Sequence, residues 1–256
     1  MFPTRTDPLA MLAADERVSA AVLAAREEID ALLWRRDVRG AAAEVAAASI
    51  QRGARDSAAM DGADVAVSDE SPMGRVLEAA LRLTAAVPTQ VDVFTGAPLQ
   101  AWAHLHALTA HGFVPGEDLG RPRSDSSADD PLHLGPVPPA TAAAERLAML
   151  AQTLTLPTEA PAIVVAAIAH AELATVRPFV WGSGLLARAS VRLVLASRGV
   201  DPSLFSIPEH GMLELGRPAY VKSLRAYASG TREGVSEFIV WQATAVAMGA
   251  KAVVVP

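Results

Sequence analysis

The chain has 256 residues and no Cys, which excludes a disulfide scaffold, a thiol nucleophile and any Cys-based metal or redox site. With 22 Lys and Arg against 28 Asp and Glu, a net charge of −6 and a pI near 5.5, it lacks the clustered cations that nucleic acid or an anionic membrane requires, and neither is expected as a partner. Apolar residues make up 51% of the chain and aromatics only 5%, an Ala- and Leu-rich balance that favours helices over β-sandwiches.

Met1 to Pro8 shows no basic segment followed by an apolar one, so no secretory leader is expected and the expected address is cytoplasmic. From Asp15 to Trp34, Val18, Val22, Leu23, Ile29, Leu32 and Leu33 recur at helical spacing with Glu27, Glu28 and Asp30 between them, which predicts an amphipathic helix. A second, Ala-rich helix is predicted from Val38 through Val45 and Ile50 to Met60, weakened by Gly40 and Gly53 and broken by Gly62, Asp64 and Ser68. Pro72 opens a third, Met73 to Ala86, with Val76, Leu77, Ala80, Leu81 and Leu83 as its stripe, and Pro88 is expected to stop it.

Leu99 to Ala110 reads as a helix with His111-Gly112 as its stop. Val114 to Pro139, rich in Pro, Gly, Ser and Asp, is far longer than a neutral connector and is expected to be a mobile flap. Five further helices are predicted at about Ala140 to Leu154, Ala160 to Val176, Gly184 to Arg198, Tyr220 to Ala228 and Gly234 to Ala250, separated by Pro and Gly seams. The most apolar stretch, Pro161 to Ala171, meets His170 and Glu172 before it reaches the ~20 residues of a membrane span. One all-α domain of roughly eight to ten helices follows.

No metal site is expected. His104 and His106 lie two apart on a helix and so face apart, no H-E-x-x-H pattern is present, and His170 on an apolar face reads as a hydrogen-bonded core residue. More chemistry is concentrated in Arg177-Pro178-Phe179-Val180-Trp181-Gly182-Ser183-Gly184-Leu185-Leu186-Ala187-Arg188. An apolar helix ends before Pro178, a Gly-x-Gly turn follows, and Gly184 opens another apolar helix. Glycines at a helix N-terminus let an anion approach free backbone N–H groups, and Arg177 and Arg188 stand on either side.

This segment resembles the signature of Fic (Fido-fold) proteins, His-Pro-Phe-x-Asp/Glu-Gly-Asn-Gly-Arg-x-x-Arg. Pro178, Phe179, Gly182, Gly184 and Arg188 keep the pattern, whereas Arg177 replaces the His, Trp181 the acid, Ser183 the Asn and Leu185 the first Arg. Leu105-His106 through Gly112, Pro115-Gly116, Arg123, Pro138-Pro139, His170 to Leu173, Tyr220-x-x-x-Leu224 and Gly234 to Ile239 are also similar to the family in order and spacing. The resemblance implies an all-α, Fic-like helical core over residues 95–256 with a flap at 112–139 that has room for a short β-hairpin. Residues 1–94 would supply N-terminal helices packing on that core. Ser57-Ala58-Ala59-Met60-Asp61-Gly62 is similar to the family's inhibitory pattern, with Asp in place of Glu, and sets an inhibitory helix at about 49–62 with Asp61 directed at Arg188. The alternative is that Asp61 simply ends a helix before Gly62.

Active members of the family usually transfer AMP from ATP to a protein hydroxyl. Their His is the general base, and Arg177 stays protonated and cannot serve. Their acid holds Mg²⁺, and Trp181 offers no oxygen ligand, so Mg²⁺ is not expected. What the resemblance leaves is a phosphate-binding set of Arg177, Gly182, Ser183, Gly184 and Arg188, with catalytic residues unknown, Ser57 and Asp61 as inhibitory residues, and Arg121 and Arg123 on the flap. The expectation is a degenerate Fic-fold protein acting as a nucleotide- or phosphate-binding or protein-binding regulatory module. ATP or another nucleotide is the candidate ligand, and a protein partner the candidate at the flap. The alternative is a divergent nucleotidyl- or phosphotransferase using another base, for which His210, Glu172 and Asp61 are the candidates. A third reading makes Trp181 a packing plug in the cleft.

Overall fold

The structure, a computed structural model, describes residues 7–63 and 71–256, so Asp64 and Ser68 in the expected break lie outside the described residues. The described residues form twelve α-helices and one 3-10 turn. Asp7 caps α1 (Pro8–Ala13) by accepting from the Leu9 and Ala10 amides, and Asp15 caps α2 (Glu16–Trp34) in the same way. Val18, Val22, Ala25, Ile29 and Leu32 bury the predicted stripe of α2.

Two expectations about the N-terminal half are corrected. The helix predicted from Val38 to Met60 is two, α3 (Arg36–Gly40) and α4 (Ala42–Met60), parted at Ala41 with φ −120° and ψ 40°. Pro88 does not stop the third helix, since α5 runs from Pro72 to Gly96 with Pro88 inside it. A proline in a helix forfeits one hydrogen bond and crowds the preceding turn, at a cost of ~3 kcal/mol. Val87 and Phe94, buried on either side of Pro88, continue the apolar stripe and offset that cost.

The chain continues through α6 (Pro98–Ala110), a 3-10 turn (Gly116–Asp118), α7 (Ala140–Thr155), α8 (Ala162–Val176), α9 (Ser183–Ser197), α10 (Pro208–Leu215), α11 (Arg217–Ala228) and α12 (Arg232–Lys251). The helices beyond the expected eight to ten arise from α1, α10 and the split at Ala41. Residues 111–139 contain only the 3-10 turn and an isolated bridge between His111 and Val114, so the flap forms no β-hairpin. No helix among the described residues is long and apolar enough to cross a membrane.

The centre of the molecule is α8, apolar on nearly every side, with Ile163, Val164, Val165, Ala166, Ala167 and Ala169 buried. It packs against α9 and α12 and is flanked by α7 and α11. His170 lies wholly inside, where its Nδ1 meets Gln242 Oε1 at 2.5 Å and its Nε2 meets the Tyr220 hydroxyl at 2.7 Å. Because an amide oxygen can only accept, Nδ1 carries the proton and Tyr220 donates to Nε2. The α8–α9 hairpin brings the Gly-x-Gly turn to one end of this core, beneath the flap and beside the end of α4.

Candidate functional site

The turn between α8 and α9 is built by backbone geometry unusual for its residues. Arg177 adopts a left-handed conformation, φ 45° and ψ 67°, which a non-glycine residue rarely takes and which ends α8 sharply. Gly182 is also left-handed, at φ 78°, and occupies the N-cap of α9, where it has no side chain to bond the first-turn amides. Ser183 does not serve the turn's outer face. Its Oγ is buried and bonds Phe179, accepting from the amide at 3.2 Å and donating to the carbonyl at 3.3 Å.

Arg188, one turn into α9, is fully buried. Its Nε donates to Ser57 Oγ at 2.8 Å and its Nη2 to Asp61 Oδ2 at 2.6 Å, so the end of α4 lies against the start of α9. Asp61 therefore reaches Arg188. It also ends α4, as the residue before Gly62. Burial works against the Arg188 charge, but the Asp61 carboxylate and the Tyr220 oxygen raise its pKa above the ordinary arginine value. Arg188 Nη1 and Asp61 Oδ1 are both buried without a hydrogen bond. Both flank Gly184, whose absent Cβ would stand 3.4 Å from Nη1 and 3.6 Å from Oδ1.

Arg177, expected as a second cation for a bound phosphate, is engaged by the flap. Its guanidinium points into the flap, where Nη1 lies 3.0 Å from Asp130 Oδ1 and 3.3 Å from the Asp129 carbonyl, while Nη2 bonds the Gly135 carbonyl. These contacts place the guanidinium beside Asp129, whose carboxyl reaches the turn, and leave it occupied by the flap. Leu185, at the position of the family's first arginine, is core. Trp181 stacks on Phe113 with ring centroids 3.7 Å apart and planes 9° apart, and Arg75 covers the far side of Phe113 at 4.8 Å.

The flap is fastened at several points. Arg123 is buried and bonds the Arg177 carbonyl at 2.8 Å, the Pro138 carbonyl at 2.6 Å and the Asp125 carbonyl. Two backbone bonds lay the flap along the turn, from Arg123 N to Pro178 O at 2.8 Å and from Asp129 N to Val180 O at 2.9 Å. Arg217 and Arg225 of α11 hold the carbonyls of Pro131 and His133. Arg121, expected alongside Arg123, is exposed at the surface.

Three groups at this site are not among the site residues expected from the sequence, although His106 and Tyr220 lie in stretches that carry the resemblance. His106 of α6 joins flap to turn, its Nδ1 accepting from the Gly120 amide at 2.9 Å and its Nε2 donating to the Trp181 carbonyl at 3.1 Å. Burial pushes it down to about 4, so it is neutral at neutral pH. Tyr220 contacts His170 on one side and Arg188 on the other. Asp129 places Oδ2 3.2 Å from the Gly182 amide, at the N-terminus of α9 where an anion would sit. Its burial, reinforced by the Asp61 charge, pushes its carboxyl up to about 7 against the Gly182 bond and the charges of Arg177 and Arg188. The Ser/Asp-rich composition around Asp129 reads as a solvated loop, which concealed it.

The other candidate bases are engaged elsewhere. Glu172 pairs with Arg146 at 2.7 Å and accepts from the Tyr227 hydroxyl at 2.6 Å, and His210 lies between Arg52 and Asp56. Among the described residues, no three His, Asp or Glu side chains converge as a metal site.

No family model and no curated protein matches the chain. Solved structures do. A Fic family protein from Desulfovibrio desulfuricans G20 superposes with a TM-score of 0.72 and 17% identity, over 97% of this chain and 75% of that one. A fragment of Fic-1 from C. elegans superposes with a TM-score of 0.64 and 16% identity, over 96% of this chain and 74% of that one. The chain therefore has the Fic fold, and the N-terminal helices as well as residues 95–256 fall within the match.

Proposed function

We propose that this Fic-fold protein binds the phosphate of a nucleotide or phosphorylated ligand at the N-terminus of α9, without Mg²⁺ and without AMP transfer, as a regulatory module. The reading rests chiefly on Arg188, a buried guanidinium at the glycine turn whose Nη1 makes no hydrogen bond, while Nε and Nη2 are held by Ser57 and Asp61 and Tyr220 lies alongside. A buried charged donor without a partner costs more than an exposed one, and an incoming anionic oxygen would satisfy it. Loss of turnover follows from chemistry. Arg177 cannot take a proton from an incoming hydroxyl and is held by the flap, and Trp181, stacked on Phe113, offers no metal oxygen ligand. Asp61 is the inhibitory element in this reading, since its carboxylate holds the guanidinium that the ligand would use.

Thermal melting of the full chain with ATP, ADP, AMP and CTP, each with and without Mg²⁺, tests the reading on the native protein and on Asp61→Gly. The expected result is a Mg²⁺-independent rise in Tm that is larger in Asp61→Gly, because a ligand that binds only the folded state stabilises it by mass action. Mass spectrometry of the same samples with candidate acceptor proteins is expected to find no transferred AMP. Transferred nucleotide would make the protein a divergent transferase, and a Tm unmoved by every nucleotide in both forms would remove the nucleotide site.

A further inference from the structure

The position where an anion would meet α9 already has an occupant that belongs to the chain. Asp129 enters from the flap, its Oδ2 accepts from the Gly182 amide at 3.2 Å, its own amide donates to Val180 O at 2.9 Å, and its carbonyl accepts from Arg177 Nη1 at 3.3 Å. Gly182 is buried and has no side chain to cap the helix, and the flap carboxyl takes its amide, one of the N–H groups that the helix end leaves unpaired. We propose that Asp129 is a tethered competitor for the anion position at Gly182, which latches the flap over the turn between α8 and α9 and, through its own ionisation, determines when an external anion enters.

The charges around Asp129 set the direction of this response. Asp61 faces it from the end of α4 and repels its ionised form. Arg188 faces it from α9 and Arg177 from the end of α8, and both favour that form. Asp130, its neighbour in the flap, is itself held by Arg177 and by the Leu134 and Gly135 amides. Burial and Asp61 prevail over the two guanidinium groups, and the docked carboxyl titrates near 7 instead of its ordinary 3.8. A docked pKa above the undocked one means that the docked flap binds the proton more tightly. The latch is therefore complete below the undocked value, weakens by about tenfold per pH unit as pH rises towards 7, and changes no further above it. Asp129 thus makes anion entry easier as pH rises. Protonation of exposed histidines would have the opposite effect.

The entry of an external anion rests on the reading under Proposed function, whereas the latch does not, and two measurements on the full chain separate them. The first is residue-resolved amide exchange at Gly182 and Asp129 between about pH 5 and 8, corrected for the intrinsic rate and referred to the Ala167 amide in α8. Protection is expected to fall by up to about tenfold per unit as far as 7 and then level off. In Asp129→Asn, which keeps the accepting oxygen and cannot ionise, protection should be high and flat. In Asp61→Asn, which removes the repelling charge, the levelling point should move to lower pH. A flat profile in the native protein, or the native slope persisting in Asp129→Asn, would overturn the latch.

The second is titration with sulfate, which stays fully ionised over this range, followed at the Gly182 and Gly184 amides. Affinity for the native protein is expected to rise by up to about tenfold per unit between pH 5 and 7, and affinity for Asp129→Asn to be weaker and constant. A sloped exchange profile without sulfate binding at any pH would support the latch and overturn the anion-binding reading. Sulfate binding with a flat exchange profile would do the reverse.

Discussion

Asp61 Oδ2 and Arg188 Nη2 meet at 2.6 Å across 127 positions of chain, with the two side chains 8% and 0% exposed. The pair joins α4 to α9, and each partner retains one buried polar atom without a hydrogen bond. A buried pair of this kind is costly to break from one side because the other charge is left uncompensated.

Asp61→Ala is accordingly expected to lower stability by about 3 kcal/mol, with Arg188→Met similar in size. The double variant should lose clearly less than the sum, because neither charge is then stranded. Urea unfolding of the four proteins measures this, and strict additivity would mean that the two side chains do not depend on one another.

Arg177→Met should act locally. It removes the contacts to Asp130, to the Asp129 carbonyl and to the Gly135 carbonyl, all of them within the flap. Faster amide exchange between residues 129 and 135 is expected, with α8 and α9 little changed. An equal acceleration in both helices would show instead that Arg177 supports the core.

Gly53 allows α4 to lie over a buried ion pair. Arg192 Nε and Glu209 Oε1 meet at 2.7 Å, and a Cβ on residue 53 would fall 2.2 Å from Arg192 Nη2 and 2.8 Å from Glu209 Oε2. Alanine would gain about 1 kcal/mol of helix propensity, yet overpacking costs ~1–3 kcal/mol and here also disturbs a charged pair. Gly53→Ala should therefore be destabilising by about 1 kcal/mol or more in urea unfolding.

Burial holds His170 near 3 and His106 near 4, against an ordinary 6.5. Below 6.5 the unfolded chain takes up protons that these folded rings refuse, so stability falls with pH by about 1.4 kcal/mol per unit for each ring. Asp129, raised to about 7, acts oppositely in the same interval. The contribution of His170 alone is therefore a slope of about 1.4 kcal/mol per unit between about pH 6.5 and 5, and His170→Gln is expected to lose that much of the slope. Guanidinium unfolding across that range measures the slope, and an unchanged slope in the variant would mean that His170 takes up a proton in the folded state.

The long helices α2, α7, α8, α9 and α12 were legible because α2, α7 and α12 carry apolar stripes, α8 and α9 are apolar nearly all round, and their ends carry Pro, Gly or capping residues. The passage of α5 through Pro88 was not, since a local breaker was overridden by packing at Val87 and Phe94, and packing leaves no mark on propensity. The contact between Asp61 and Arg188 was legible because short patterns fix both ends. The docking of Arg177 into the flap was not, because its partners lie 42 to 48 residues earlier, in a stretch whose composition describes a solvated loop. Asp129 was hidden for a related reason. It lies 53 residues before Gly182, in a stretch whose composition describes a solvated loop, and only the docking of that loop brings the two together.

Arg123 ties the flap at its neck, one guanidinium holding the carbonyls of both Arg177 and Pro138. The segment between residues 124 and 137 is thereby closed at its base independently of its own sequence. The entropy of such a loop grows only slowly with its length. Insertions in the exposed stretch 124–127, ahead of the contacts made by residues 129 to 135, should therefore leave the helical frame in register, which makes that stretch open to divergence and to grafting.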